Sequence, residues 1–349
     1  MPSVNRFVRV ASMALVLVAL AGAQQYVITD LGTLGDRICV ALGVNNFGEV
    51  AGYYLDSSQL SHAFFWTKSA GMQEIKTIGF QGGLTFAAAI NASGEVAGYY
   101  TGFDNLQHPF LWRQDTGMHD LGSLGGDGEG NALGIGDSGQ VVGTSYTATR
   151  QEDAFLWKEG APMHDLRISG SANAINRLGE ISGTGQLRNS SVYHAFIWTS
   201  SMGGHDLGSL GGTGSQSYGL ALNNLGEAVG ISTTKNGLER AFRWSRSGGM
   251  RDLGILSGGN QSWAYGINDS SEIVGASFTA GDNTTHALLW TRRAGMQDLN
   301  SLIPPNSGWV LTSANAINAV GQIVGGGTIN GQGHAFLLTP QSARNTGLK

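Results

Sequence analysis

Residues 86–126 read FAAAINASGEVAGYYTGFDNLQHPFLWRQDTGMHDLGSLGG. A run of small apolar residues leads into Ile90-Asn91, a turn closes at Gly94, and a second run reaches Gly98. After a polar loop a third run extends from His108 to Trp112, and Gly117-Met118 then leads into Asp120-Leu121-Gly122. Short apolar runs bounded by Gly, Asn and Asp are strand signals, so this stretch predicts four short strands.

Working outward, the same unit recurs along the chain. Turn segments begin at Val44, Ile90, Ile135, Ile175, Leu222, Ile267 and Ile317, which makes seven copies. An aromatic strand follows each: His62–Trp66, His108–Trp112, Asp153–Trp157, His194–Trp198, Arg240–Trp244, His286–Trp290 and His334–Leu338. The Trp-to-Trp spacing runs 46, 45, 41, 46 and 46. A period in the forties with about four short strands per unit is the signature of a β-propeller. A solenoid is the alternative, and the ends decide between them. The seventh unit stops at His334–Pro340 without a last strand, whereas Tyr26–Gly32 is a last strand with no unit in front of it. A solenoid would carry polar capping repeats instead. The expectation is therefore an all-β, seven-bladed propeller with four-stranded blades, spanning 24–349, whose last blade is closed by the N-terminal strand.

Asn followed three residues later by Gly, as in Asn45/Gly48, Asn91/Gly94 and Asn176/Gly179, is turn chemistry. The Asn side chain bonds its own backbone while Gly takes the positive φ. The segments entering these turns, such as ALGV, AAAI and ANAI, are small and uncharged. As innermost strands they suit a crowded axis and predict a channel without ionisable groups.

The repeated His-Ala-Phe of 62–64, 194–196 and 334–336, the Ile-Asn-x-x-Gly turns, and the Asp-Leu-Gly-x-Leu-Gly of 30–35, 120–125 and 206–211 carry a resemblance. Together they resemble the HAF-type extracellular repeat family of bacteria, over the whole chain after its leader. The resemblance implies export and a repeat architecture, and brings no activity with it. The third unit departs from the pattern with Gly136 and Asp153, and the fifth with Arg240.

Arg6 and Arg9, the apolar stretch Met13–Leu20, and Ala21-Gly22-Ala23 have the order of a secretory signal peptide over 1–23, with cleavage near Ala23-Gln24. The stretch is short of the roughly 20 apolar residues that a membrane anchor requires. Residue 23 is Ala, not the Cys of a lipoprotein. A secreted or periplasmic protein follows, with no membrane anchor. Removing the leader leaves 18 basic against 25 acidic residues, a net charge near −7. That argues against nucleic acid and anionic membranes. The lone Cys39 cannot form an internal disulfide, and its apolar neighbours Ile38 and Val40 mark it as a buried thiol.

Five histidines at equivalent positions (His62, His108, His194, His286, His334) recur with a carboxylate before the Leu-Gly steps (Asp30, Asp120, Asp206, Asp252, Asp298; Glu74 and Asp165 in two units). Recurrence points to structural hydrogen bonding, because a catalytic group is needed once. Zinc needs ligands converging within about 2.3 Å, and histidines on separate blades diverge, so no metal, cofactor or catalytic residue is expected. The loop GGDGEGN at 125–131 lacks the ligand spacing of a calcium loop. Ligand-binding candidates are off-repeat residues at the outer-to-inner crossings: Arg37, Phe80, Phe86, Trp263, and Trp309 in the insertion 303–312. Aromatics among Gly, Ser and Asn suit stacking on a sugar or protein, and equally suit plugging a blade edge. The functional expectation is a monomeric, non-enzymatic binder of a glycan or extracellular protein. The alternatives are a glycoside hydrolase or lyase built on off-repeat acids (Asp127, Glu129, Glu152, Asp153), or an inert envelope protein.

Overall fold

The computed structural model describes residues 26–34, 38–187, 190–281 and 284–341. The expected signal segment, 1–23, and Arg37 lie outside the described residues. Apart from one 3-10 turn, Leu299–Ser301, the regular structure is all strand. Small antiparallel sheets follow one another round a ring, each packing its first strands on the next and the last packing on the first. The protein is a β-propeller.

Within a unit the inner strand (Thr85–Ile90), second (Val96–Thr101), third (Gln107–Arg113) and outer strand (Gly117–Asp120) pair in sequence order. Each inner strand begins at what is called here the crossing end, where the chain returns from an outer strand. It finishes at the turn end, where Asn-x-x-Gly closes the hairpin. The Asn supplies the turn: Asn91 Oδ1 accepts from the N–H groups of Ser93 and Glu95, and Gly94 sits at φ 75°. In the second strand a glycine is sterically required. A Cβ on Gly98 would lie 1.9 Å from the Phe86 carbonyl oxygen and 2.9 Å from the Phe110 ring.

The core is divided among the gaps between units rather than gathered at one centre. Seven apolar clusters are found among the described residues, each combining two successive units. One joins Ala51, Ala63 and Phe65 to Ala87, Val96 and Phe110, and another joins Ala335 and Leu337 to Cys39, Ala41 and Phe64. The third-strand ring of each unit (Phe64, Phe110, Phe155, Phe196, Phe242, Phe336) is fully buried, with Leu288 in the sixth. Burying one such side chain is worth about 1.5–3 kcal/mol.

The ends meet as expected. Tyr26–Asp30 pairs antiparallel with Gln332–Pro340, from Tyr26 opposite Pro340 to Asp30 opposite Phe336. His334 Nδ1 bonds the Asp30 carboxylate at 2.9 Å. Seven separate four-stranded sheets are not what the strands form, however: there are five, with one seven-stranded sheet. Its cause is the strand His164–Ile175, which pairs with Glu152–Trp157 through its first half and with Ile181–Gln186 through its second. The interval from Trp157 to Trp198 is the short one, 41 residues, so the outer strand runs straight on as the next inner strand.

Candidate functional site

The inner strands enclose a channel along the ring axis, and its lining is layered. Inside the turn end, Val44, Ile90, Ile135, Ile175, Leu222, Ile267 and Ile317 form an aliphatic collar. Above it, toward the crossing end, a cavity of about 280 Å³ is lined by Leu42, Ala88, Leu133, Leu220, Asn173, Tyr265 and Asn315. Below it the turn asparagines form a belt. Asn45 Nδ2 donates to Asn91 O, Asn91 to Gly136 O, Asn176 to Asn223 O, Asn223 to Asn268 O, Asn268 to Asn318 O, and Asn318 back to Asn45 O, at 2.8–3.2 Å. Gly136 accepts but has no side-chain amide to donate, and there Arg177 Nε reaches the Asp137 carboxylate at 2.8 Å. The expectation of a channel without ionisable groups therefore fails at two places. Tyr265 lines the cavity, its pKa pushed up to about 12 by burial and by Glu239, and Asp137, Arg177 and Asp269 ring the turn-end mouth.

Two residues further toward the crossing end, past a β-bulge, the inner strands carry Val40, Phe86, Asn131, Ser171, Tyr218, Trp263 and Ser313. Aromatic clusters form around two of them. Phe86 stacks on Tyr53 of the preceding unit (centroids 4.7 Å apart) and on Tyr99 of its own (5.0 Å). All three rings are half-buried, and burial raises both phenol pKa values. In the sixth unit Trp263 packs edge-on against Phe278, and its indole N–H donates to Glu239 Oε2 at 2.6 Å. The half-buried Tyr218 donates to Gln216. Phe86 is engaged by two stacked tyrosines, so the rings left for a further stacked group are Tyr53, Tyr99 and Trp263.

The third unit carries the off-repeat acids. Glu152 Oε1 accepts from the Thr144 hydroxyl, Asp127 pairs with Arg150, and Glu152 chiefly, then Glu129, raises the Tyr146 phenol. The loop 125–131 is largely strand, as part of Gly125–Ile135. Asp153 stands where five other units have His, is 6% exposed, and has its pKa raised by burial and by Asp165.

The recurrent histidines do bond carboxylates: His194 to Asp206 (2.9 Å), His286 to Asp298 (2.7 Å) and His334 to Asp30. His62 sits between Asp56 (3.2 Å) and Glu74 (3.3 Å), and His108 between Asp104 (3.0 Å) and Asp120 (3.5 Å). Asp252 faces Arg240 at 3.8 Å. No group of three or more metal-ligating side chains occurs among the described residues.

The candidates separate. Phe80 lies on a crossing and is 48% exposed. Phe86 and Trp263 are on inner strands, Thr85–Ile90 and Ser262–Ile267, rather than on crossings. Trp309 is not a surface platform. It opens the strand Trp309–Ile317, is 9% exposed, and packs with Leu302, Ile303 and Phe336. Sequence reasoning missed Tyr53, Tyr99, Tyr265 and Glu239. The signal for the first two was Val-Ala-Gly-Tyr-Tyr at 50–54 and 96–100, found in no other unit.

No family model and no curated protein matches the sequence. Solved structures do resemble the fold. Virginiamycin B lyase from Staphylococcus aureus aligns over 91% of this chain and 100% of its own, with TM-score 0.59 and 10% identity. An oligogalacturonate lyase in complex with manganese aligns over 90% and 93%, with TM-score 0.60 and 9% identity. A puromycin-hydrolyzing peptidase from Mycobacterium tuberculosis aligns over 88% of this chain and 52% of its own, with TM-score 0.58 and 10% identity. At such identities the likeness is one of fold. No helix among the described residues is long and apolar enough to cross a membrane.

Proposed function

We propose that this is an exported, monomeric, non-enzymatic propeller of the HAF-type repeat kind that binds a glycan at the crossing-end mouth of its channel. Seven blades are proposed, the seven-stranded sheet counting as two blades that share the strand His164–Ile175. The seven apolar clusters, one per gap between successive units, support that count.

The observation that carries the binding reading is the half-buried Tyr53–Phe86–Tyr99 stack, with Trp263 at the equivalent inner-strand position of the sixth unit. Sugar rings present C–H faces to aromatic planes and hydroxyls to amides and carboxylates, and this mouth offers both. A second reading, a polysaccharide-acting enzyme, is supported by the neighbourhood of two off-repeat acids: Glu152 pairs across the strands with Tyr146, and the Ser145 hydroxyl donates to the Glu129 carbonyl.

A glycan array followed by titration of its hits tests the proposal. Phe86→Ala and Trp263→Ala should each weaken a hit by about 1–2 kcal/mol while leaving the melt nearly unchanged. Loss of stability with binding intact would assign both rings to the core. Turnover of a bound glycan that stops in Glu152→Gln would favour the enzyme.

A further inference from the structure

The ionised side chains are unequally shared between the two ends of the ring. At the turn end nine described Asp and Glu stand against nine described Lys and Arg. At the crossing end fourteen stand against five, the five being Lys76, Arg150, Arg167, Lys235 and Arg240. Three of these are already engaged by carboxylates: Lys76 by Glu74, Arg150 by Asp127 and Arg240 by Asp252. Among the described residues the formal excess of nine negative charges at the crossing end falls to four with all five repeat histidines protonated, and to three with Asp153 neutral as well. The turn-end acids are internally balanced. Glu180 pairs with Arg246, and Glu227 with Arg243 and Arg292.

The aromatic clusters therefore lie at the anionic end of the ring. Glu239 holds the Trp263 indole at its edge, and Glu152 sits on the rim beside Thr144. An anionic saccharide meets repulsion there, and a neutral one gains nothing from the field. A cationic one gains twice, from the carboxylates and from the electron-rich faces of Tyr53, Tyr99 and Trp263, which attract ammonium groups.

Building on the glycan reading above, we infer that the ligand of the crossing-end mouth is an amino sugar chain bearing free ammonium groups, as in a polymer of glucosamine. The aromatic stack supplies the sugar platform, and Glu152 and Glu239 select for the amine. An amine-free chain lacks the second contribution.

Three hexasaccharides separate the possibilities: glucosamine, N-acetylglucosamine and galacturonate, titrated into the protein at about pH 6, where the amine is charged and carboxylates stay ionised. The glucosamine hexamer should bind at least about tenfold more tightly than the acetylated one, with the difference shrinking in high salt. The double variant Glu152→Gln/Glu239→Gln should erase most of that difference and keep residual binding. Glu159→Gln, at the turn end, should leave it unchanged. Equal affinity for the free and acetylated hexamers, or preference for galacturonate, would overturn the inference while leaving a glycan-binding mouth. Failure of all three hexamers, with a Lys- and Arg-rich peptide binding instead, would overturn the glycan reading itself.

Discussion

Asp153 shows how a single position in a repeat is tuned by what faces it. In five units that place holds an imidazole bonded to a carboxylate, in the fifth unit Arg240 approaches Asp252, and in the third two carboxyl groups, Asp153 and Asp165, face each other. Burial and that neighbour raise the Asp153 pKa, so folding favours its neutral form. Its contribution is then fully present below the ordinary carboxylate range, near 3.9, and is lost as pH rises through the raised folded value. Asp153→His restores a His–carboxylate pair and should stabilise the fold at neutral pH by about 1 kcal/mol. Asp153→Asn should also stabilise at neutral pH, with the gain vanishing in acid, where the wild-type carboxyl is already neutral. Melts across pH check both, and an Asn variant less stable than wild type at pH 7 contradicts the assignment. The His–Asp pairs were legible from sequence because they recur at a fixed offset. Tyr53 and Tyr99 were not, because which of two successive tyrosines meets Phe86 depends on packing between units. Trp309 misled, since its insertion resembles a surface loop, yet the ring turns inward against Phe336.

Among elements, the two that break the pattern are the N-terminal strand and the strand His164–Ile175. The first was legible as an outer strand without a unit, and the structure pairs it with Gln332–Pro340. Tyr26 is fully buried, so this strand also carries part of the last core. Deleting 24–35 should expose the edge of Gln332–Pro340 and lower the melting midpoint by several degrees with a broader transition. Equal midpoints for the intact and truncated chains would show that the strand does not hold the ring. The second was visible only as a spacing of 41. A missing stretch of chain does not announce whether it shortens a loop or abolishes it. Here it abolishes the crossing and merges two sheets.

At the scale of the whole molecule, the gap between the last and first units is bonded like most others. Asn318 reaches Asn45 O, Asn315 reaches Ala41 O, and the Ala319 N–H reaches Asn46 Oδ1, just as Asn173 reaches Gly219 O and the Arg177 N–H reaches Asn224 Oδ1 within the chain. The belt runs head to tail in one rotational sense. Its single missing donor, Gly136, falls between the third and fourth units, which are already joined by a continuous strand. Consequently the place at which the polypeptide starts is arbitrary to the ring. A permuted chain, with 26 and 341 joined by a short linker and new ends cut between Leu207 and Ser217, should fold to the same circle. Its melt should lie within a few degrees of the parent's, and it should retain whatever glycan binding the parent has. A permutant that fails to fold would mean that the N-terminal strand must act first, giving the circle a beginning after all.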